Sequence, residues 1–337
     1  MRTKHTSHPL SSFPVYSCAF VSPNDFVLGG GGGQSKTGIK NKIRLYHVES
    51  DSKLALLDEL ELASGEDAPM SMAAHPSRSE IVGGINSSED ALKSGPNQNC
   101  RVYNVQENKL SFSHAQNTIH LTTEDDDFQK VTVFSPNGKY LAVGGTRNLS
   151  VLEYPSLDPI ATPIQLEKGE VYDAAFSSKT LVVATTVNLL VYALPSEEEG
   201  EATEKSKGKE APLAPLELLH TIDRPTLPGK DAGSSYRAVS RDGKLLAFGS
   251  SDLNVGVLDA QSLAPLLTIL KAHEFPPTTL RFSPSSDTLV SGSADNTVRV
   301  VTIPTGLGAT SWGSWLLFIV ALLVVLFAIL AQQWFRV

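Results

Sequence analysis

The sequence predicts an all-β fold, a β-propeller followed by one C-terminal transmembrane helix, on three observations. A unit of alternating strand, polar turn, apolar strand and third strand recurs six times between Tyr16 and Ile303. Helical periodicity is nearly absent from residues 1–309. The 17 residues from Trp315 to Ala331 carry no polar side chain.

The clearest copies of the repeat are residues 131–154, 171–194, 236–259 and 278–303, and two diverged copies precede them at 16–48 and 70–105. Within each, a quartet such as Ser135-Pro136-Asn137-Gly138 makes a tight turn, because proline presets φ and Gly or Asn tolerates a positive one. The next strand is apolar on both faces, as an inner strand between neighbouring blades must be. Small residues end it: Gly144-Gly145, Gly249-Ser250, Gly292-Ser293. Three to four strands per unit at this spacing is the signature of a WD-type propeller.

Three insertions interrupt the period. Ser196–Pro212 mixes both charges with almost no apolar residue and is expected to be disordered. Residues 86–99 read as a polar loop. The third, Gly29–Lys42 (GGGGGQSKTGIKNK), is different in kind. Its glycine run implies either a flexible hairpin tip or a backbone that approaches something closely, and its free carbonyls and amides could ligate a hard cation or cradle an anion. It is not a nucleotide P-loop: Ser35 precedes Lys36-Thr37, and the strand IRLYHV follows where a helix N-terminus would be needed. Direct nucleotide binding is therefore not expected.

The net charge of −8 is spread along the chain without a Lys/Arg cluster, which excludes the basic footprint of a nucleic-acid binder. Cys18 and Cys100 offer no disulfide framework and no metal spacing and read as buried thiols. The eight histidines are scattered, and no nucleophile, acid and base share catalytic spacing, so the chain does not read as an enzyme. The first ten residues lack a signal-peptide core. With Trp312, Gly313 and Ser314 the apolar run reaches about 20 residues, or ~30 Å of helix, the thickness of a bilayer core. Residues 312–331 are thus expected to cross a membrane once, with 1–309 cytosolic and 332–337 a short luminal tail.

The string GGGG-QSKT-GIKN-KI, in the first blade of a propeller that ends in an apolar segment, resembles one family: the endoplasmic-reticulum guanine-nucleotide exchange factors of the Sar-type small GTPase, which start COPII coat assembly. The resemblance implies that the loop holds a potassium ion, with Gly30, Gly31, Gly32 and Gly33 as the opening run, Gly38 as the closing glycine, and Asn41 as both ion ligand and principal exchange residue. It implies a GTPase-facing surface that includes Ile39, Pro69 and His273, and an anchored position in the endoplasmic-reticulum membrane. An exchange factor of this kind needs no covalent chemistry. From the sequence, Asn41 sits in a polar loop tip that adds little to packing. The alternative is a non-catalytic propeller scaffold, which would need no such loop. The family has seven blades where six repeats are counted here. Tyr236-Arg237-Ala238 runs directly into Val239-Ser240-Arg241-Asp242-Gly243, as if the front of one blade were fused to the next. A distorted or strand-deficient region is therefore expected around residues 212–240, because an open ring exposes sheet edges.

Overall fold

The computed structural model describes residues 4–34, 38–121, 126–195, 213–223, 237–240, 242–307, 319–325 and 332. After β1 (His5–Pro9), blade 1 holds β2 (Val15–Phe20), β3 (Asp25–Gly30), β4 (Lys42–Val48) and β5 (Leu54–Glu61). Blade 2 holds β6 (Ser71–Ala74), β7 (Glu80–Gly84), β8 (Cys100–Gln106) and β9 (Lys109–Gln116). Blade 3 holds β10 (Val131–Phe134), β11 (Tyr140–Gly144) and β12 (Asn148–Glu153), with β13 (Asp158–Pro159) and β14 (Ile164–Gln165) sharing its outer edge. Blade 4 follows with β15 (Val171–Phe176), β16 (Thr180–Thr185), β17 (Asn188–Ala193) and β18 (Leu218–Asp223). Blade 5 is β19 (Arg237–Val239), β20 (Leu245–Gly249), β21 (Val255–Asp259) and β22 (Pro265–Ile269). Blade 6 is β23 (Pro277–Phe282), β24 (Thr288–Ser293) and β25 (Thr297–Thr302), and β1 pairs with β25 as its outermost strand, His5 opposite Val301 and Pro9 opposite Thr297. The chain's first strand thereby fastens its last blade, leaving β25 no bare edge.

The described residues form six blades, one for each repeat read from the sequence. The 86–99 insertion departs from its reading as a loop. It holds the short helix α1 (Glu89–Ser94), with Ser88 accepting the Ala91 N–H and Glu89 and Asp90 in the first turn. The charged segment 196–212 lies outside the described residues.

The expectation of a membrane-crossing helix is overturned. Among the described residues no helix is long and apolar enough to cross a membrane. The described helical stretch there is 319–325, about 10 Å long against a bilayer core of ~30 Å, and most of 312–331 lies outside the described residues. Anchoring through a C-terminal helix, the membrane as a partner, and single-pass placement in the endoplasmic-reticulum membrane fall with it. The supposed luminal tail 332–337 is described at residue 332 alone.

Strand alternation builds the core. Successive side chains of an inner strand point to opposite faces, so each blade feeds two seams. In β24, Val290 joins the seam with blade 1 while Leu289 joins the seam with blade 5. In β7, Ile81 faces blade 1 and Val82 faces blade 3. Five apolar clusters result, joining blades 6 and 1, 1 and 2, 2 and 3, 3 and 4, and 5 and 6. The innermost strands follow suit: β2 packs on β6 and β23, β6 on β10, β10 on β15, and β19 on β23.

Between blades 4 and 5, no comparable cluster or packing of β15 on β19 joins the described residues. Leu181 and Val183 of β16 are buried toward blade 3, whereas Leu189, Ile222 and Tyr172 of blade 4 are exposed at 40%, 54% and 51%. On blade 5, Val239 is exposed, and Leu246 and Phe248 are half-buried while their neighbours Leu245 and Ala247 are buried toward blade 6. The inner strand β19 has three residues, and the 224–236 junction lies outside the described residues. Among the described residues, this is the one neighbouring pair of blades that shares no apolar cluster.

Candidate functional site

Antiparallel strands reverse direction at every turn, so connections from second to third strand, and from fourth strand to the next blade, leave on one face of the ring. The glycine loop (β3 to β4), the 62–70 linker (β5 to β6), the α1 insertion (β7 to β8) and the 270–276 linker (β22 to β23) all belong to that face. Blades 6, 1 and 2, which carry them, are consecutive in the ring.

The glycine run divides into two parts. Gly29 and Gly30 are the end of β3, opposite Ile43 and Lys42. Packing forces glycine at Gly29, where a Cβ would collide with Ser17 Oγ and with Pro69, whose carbonyl accepts the Ser17 hydroxyl at 2.6 Å. The loop proper begins at Gly31, whose N–H donates to the Pro14 carbonyl at 3.0 Å. Gly31 and Gly33 have φ of +140° and +68°, conformations that L side chains rarely adopt. A Cβ on Gly31 would collide with Asn41 Oδ1 and the Lys40 carbonyl, so only a bare backbone fits against those two oxygens.

Asn41 is buried, at 8% exposure, and closes the loop. Its Oδ1 accepts the Gly33 N–H at 2.9 Å, and its Nδ2 donates to the Gly33 carbonyl at 2.9 Å and to the Glu66 carbonyl at 2.7 Å. Its own carbonyl accepts the Leu62 N–H at 2.9 Å. Both amide hydrogens are thus used, and among the described residues Oδ1 accepts the Gly33 N–H. Asp67 stands beside the loop, and burial, reinforced by the Asp126 carboxylate, raises its pKa against the pull of the Ala68 and Gln34 N–H groups. Asp67 in turn adds to the effect of burial in raising the pKa of Tyr16.

Glu66 and Arg101 lie outside the set read from the sequence. Arg101 Nη1 pairs with Glu66 Oε1 at 2.8 Å, their side chains 9% and 17% exposed. Glu66 Oε2 accepts the Ala63 N–H at 2.9 Å, and Arg101 Nε donates to the Gln98 carbonyl at 2.9 Å. The sequence signal is slight: an arginine between Cys100 and Val102 in a strand that also carries Asn104 and Gln106.

The structure brings Gly31, Gly33, Asn41 and the Glu66–Pro69 linker together, and seats Ile39 half-buried just before Asn41. Gly38 has φ +78° with open space around its Cα, and Gly32 is half-buried. Pro69 is buried against Gly29. His273 is held apart from the loop, inside blade 6. It is 4% exposed, with Nδ1 2.8 Å from Thr297 Oγ1, Nε2 2.8 Å from Ser291 Oγ and Asp295 Oδ2 3.4 Å away. Burial lowers its pKa despite the Asp295 carboxylate. The side chain thus ties the β22–β23 linker to its own sheet. Cys18 and Cys100 are buried free thiols, pushed up to about 12 by burial.

Comparison with known proteins follows the same lines. A family model described as "WD domain, G-beta repeat" matches residues 264–301, from the end of blade 5 through β25. The β-propeller domain of Myceliophteria thermophila Cps50 (Swd1) covers 86% of this chain and 83% of its own at 12% identity and a TM-score of 0.47. The "Guanine nucleotide-exchange factor SEC12" of Candida glabrata is 24% identical over 342 aligned residues, covering 89% of this chain and 72% of the relative. The "Putative guanine nucleotide-exchange factor SED4" of the same organism is 24% identical over 91% of this chain, which spans about a third (33%) of that relative's length. The chain is a β-propeller with distant sequence similarity, along most of its length, to SEC12- and SED4-type exchange factors.

Proposed function

We propose that this chain is a guanine-nucleotide exchange factor for a Sar-type small GTPase, feeding the coat assembly that such a GTPase starts. The observation that carries the reading is the glycine loop, held by Asn41 on the face where blades 6, 1 and 2 meet. The distant similarity to named exchange factors supports it. A GTPase holds its nucleotide tightly, and a factor speeds release by binding the nucleotide-free form better than the loaded one. That requires shape and directed polar groups, with no bond made or broken by the factor. A loop fixed before binding loses little entropy on docking. Gly33, half-buried and bare of a side chain, allows close approach, and the half-buried Ile39 supplies apolar surface beside it, while Pro69 supports the loop from beneath, packed against Gly29.

The potassium reading fits the donors present. Lys40 O and Asn41 Oδ1, both beside Gly31, are neutral hard oxygens of the kind a monovalent cation takes. Bound there, the ion would supply a fixed positive charge at the loop.

Backbone hydrogen exchange of the full chain, with and without a nucleotide-free Sar-type GTPase, tests the reading. New protection is expected over residues 31–41 and 63–69. Protection confined to the exposed apolar faces of blades 4 and 5 would favour the scaffold reading instead.

A further inference from the structure

The buried pair of Arg101 and Glu66 has no place in the exchange surface itself, yet it lies one hydrogen bond from Asn41. We infer that Glu66 and Arg101 are positioning residues, which fix the glycine loop through Asn41; for its functional consequence the inference rests on the exchange reading above.

Glu66 is held at every polar group. One carboxylate oxygen meets Arg101, and the other closes the 63–66 turn on the Ala63 N–H. Its own N–H donates to the Ala63 carbonyl at 3.2 Å. The remaining group, the carbonyl, is thereby aimed at Asn41 Nδ2. Arg101 reaches the other way as well, through Nε to Gln98 at the end of the α1 insertion. One guanidinium therefore couples two of the connections that flank the glycine loop. A buried ion pair is a poor source of stability, since apolar residues of similar volume often serve as well. What it supplies is direction: a guanidinium fork donates to its partners in few geometries. At this place that direction passes to the Glu66 carbonyl, then to the Asn41 amide, then to both backbone groups of Gly33.

The test uses the full chain with Arg101→Met, Glu66→Gln and Arg101→Lys. The first leaves the carboxylate unpaired, the second keeps the backbone carbonyl and an acceptor oxygen, and the third restores charge without the fork. Two readouts separate positioning from general stability. Amide hydrogen exchange at Gly33 is expected to quicken about tenfold or more in Arg101→Met, the scale of a released polar contact, while β7, β11 and β24 keep their protection. Glu66→Gln should fall between parent and Arg101→Met, and Arg101→Lys should recover part of the loss. With a Sar-type GTPase, the limiting rate of GDP release should fall more than the half-saturating concentration of factor rises. Unchanged exchange at Gly33, or a loss of protection spread evenly over all blades, would overturn the positioning role. A loosened Gly33 with catalysed GDP release unaltered would leave the positioning standing and overturn its consequence for exchange, whereas a parent protein that does not speed release would overturn the exchange reading itself.

Discussion

Asn41→Ala is expected to slow catalysed GDP release about tenfold or more, equivalent to ~1.4 kcal/mol, while leaving the ring folded. The change removes one acceptor and two donors at once. It strands the Gly33 N–H, the Gly33 carbonyl and the Glu66 carbonyl, which water at the loop can serve only in part. A cost of about 1–3 kcal/mol follows for groups so exposed to loss. This corrects the sequence-based view of Asn41 as a loop-tip residue that packing would not miss. The cost should stay local, because none of the five apolar seams includes Asn41. Thermal unfolding and GDP release measured on the same preparation check it. A large drop in melting temperature with an equal loss of release would make Asn41 a structural residue only.

Truncating the core should separate the packed seams from the junction of blades 4 and 5, where the described residues form no apolar cluster. Leu289→Ala, at a fully buried position between blades 5 and 6, is expected to cost about 2–5 kcal/mol in chemical denaturation. Leu189→Ala and Ile222→Ala, on the blade 4 face that meets no partner cluster among the described residues, should each stay within about 0.5 kcal/mol of the parent. Side chains of the same kind thus differ in effect because only one of the two sites removes them from water. If Leu189→Ala cost as much as Leu289→Ala, blades 4 and 5 would have to be packed together in solution.

The repeat was legible because its signal is local. Inner strands flanked by Ser-Pro-Asn-Gly turns declare themselves, and the six triplets read at 16–48 through 278–303 coincide with the first three strands of the six blades. The outer strands were not legible. β5 alternates only weakly between half-buried and exposed positions, and β18 is exposed throughout, so neither shows the apolar run of a packed strand. β1 could not be assigned at all, since its partner lies nearly 300 residues away in β25. At the site, the five glycines were visible but their causes were not. Gly29 answers to Pro69, and Gly31 to Asn41 and Lys40, contacts that only the folded ring creates. His273 stood out by resemblance, yet the sequence gives no sign that Ser291 and Thr297 occupy both ring nitrogens. The apolar run at 315–331 has the composition of a span, but composition is not a helix, and the described residues contain none long enough.

The proposed exchange function rests on the glycine loop that Asn41 holds in place. The most direct measurement is release of a fluorescent GDP analogue from a purified Sar-type GTPase, with the full chain added at catalytic amounts in KCl, NaCl or CsCl at matched ionic strength. Exchange through the loop predicts release many times faster than the intrinsic rate, fastest in KCl, and slowed about tenfold or more by Asn41→Ala. Release at the intrinsic rate with parent protein that is folded and binds the GTPase would contradict it.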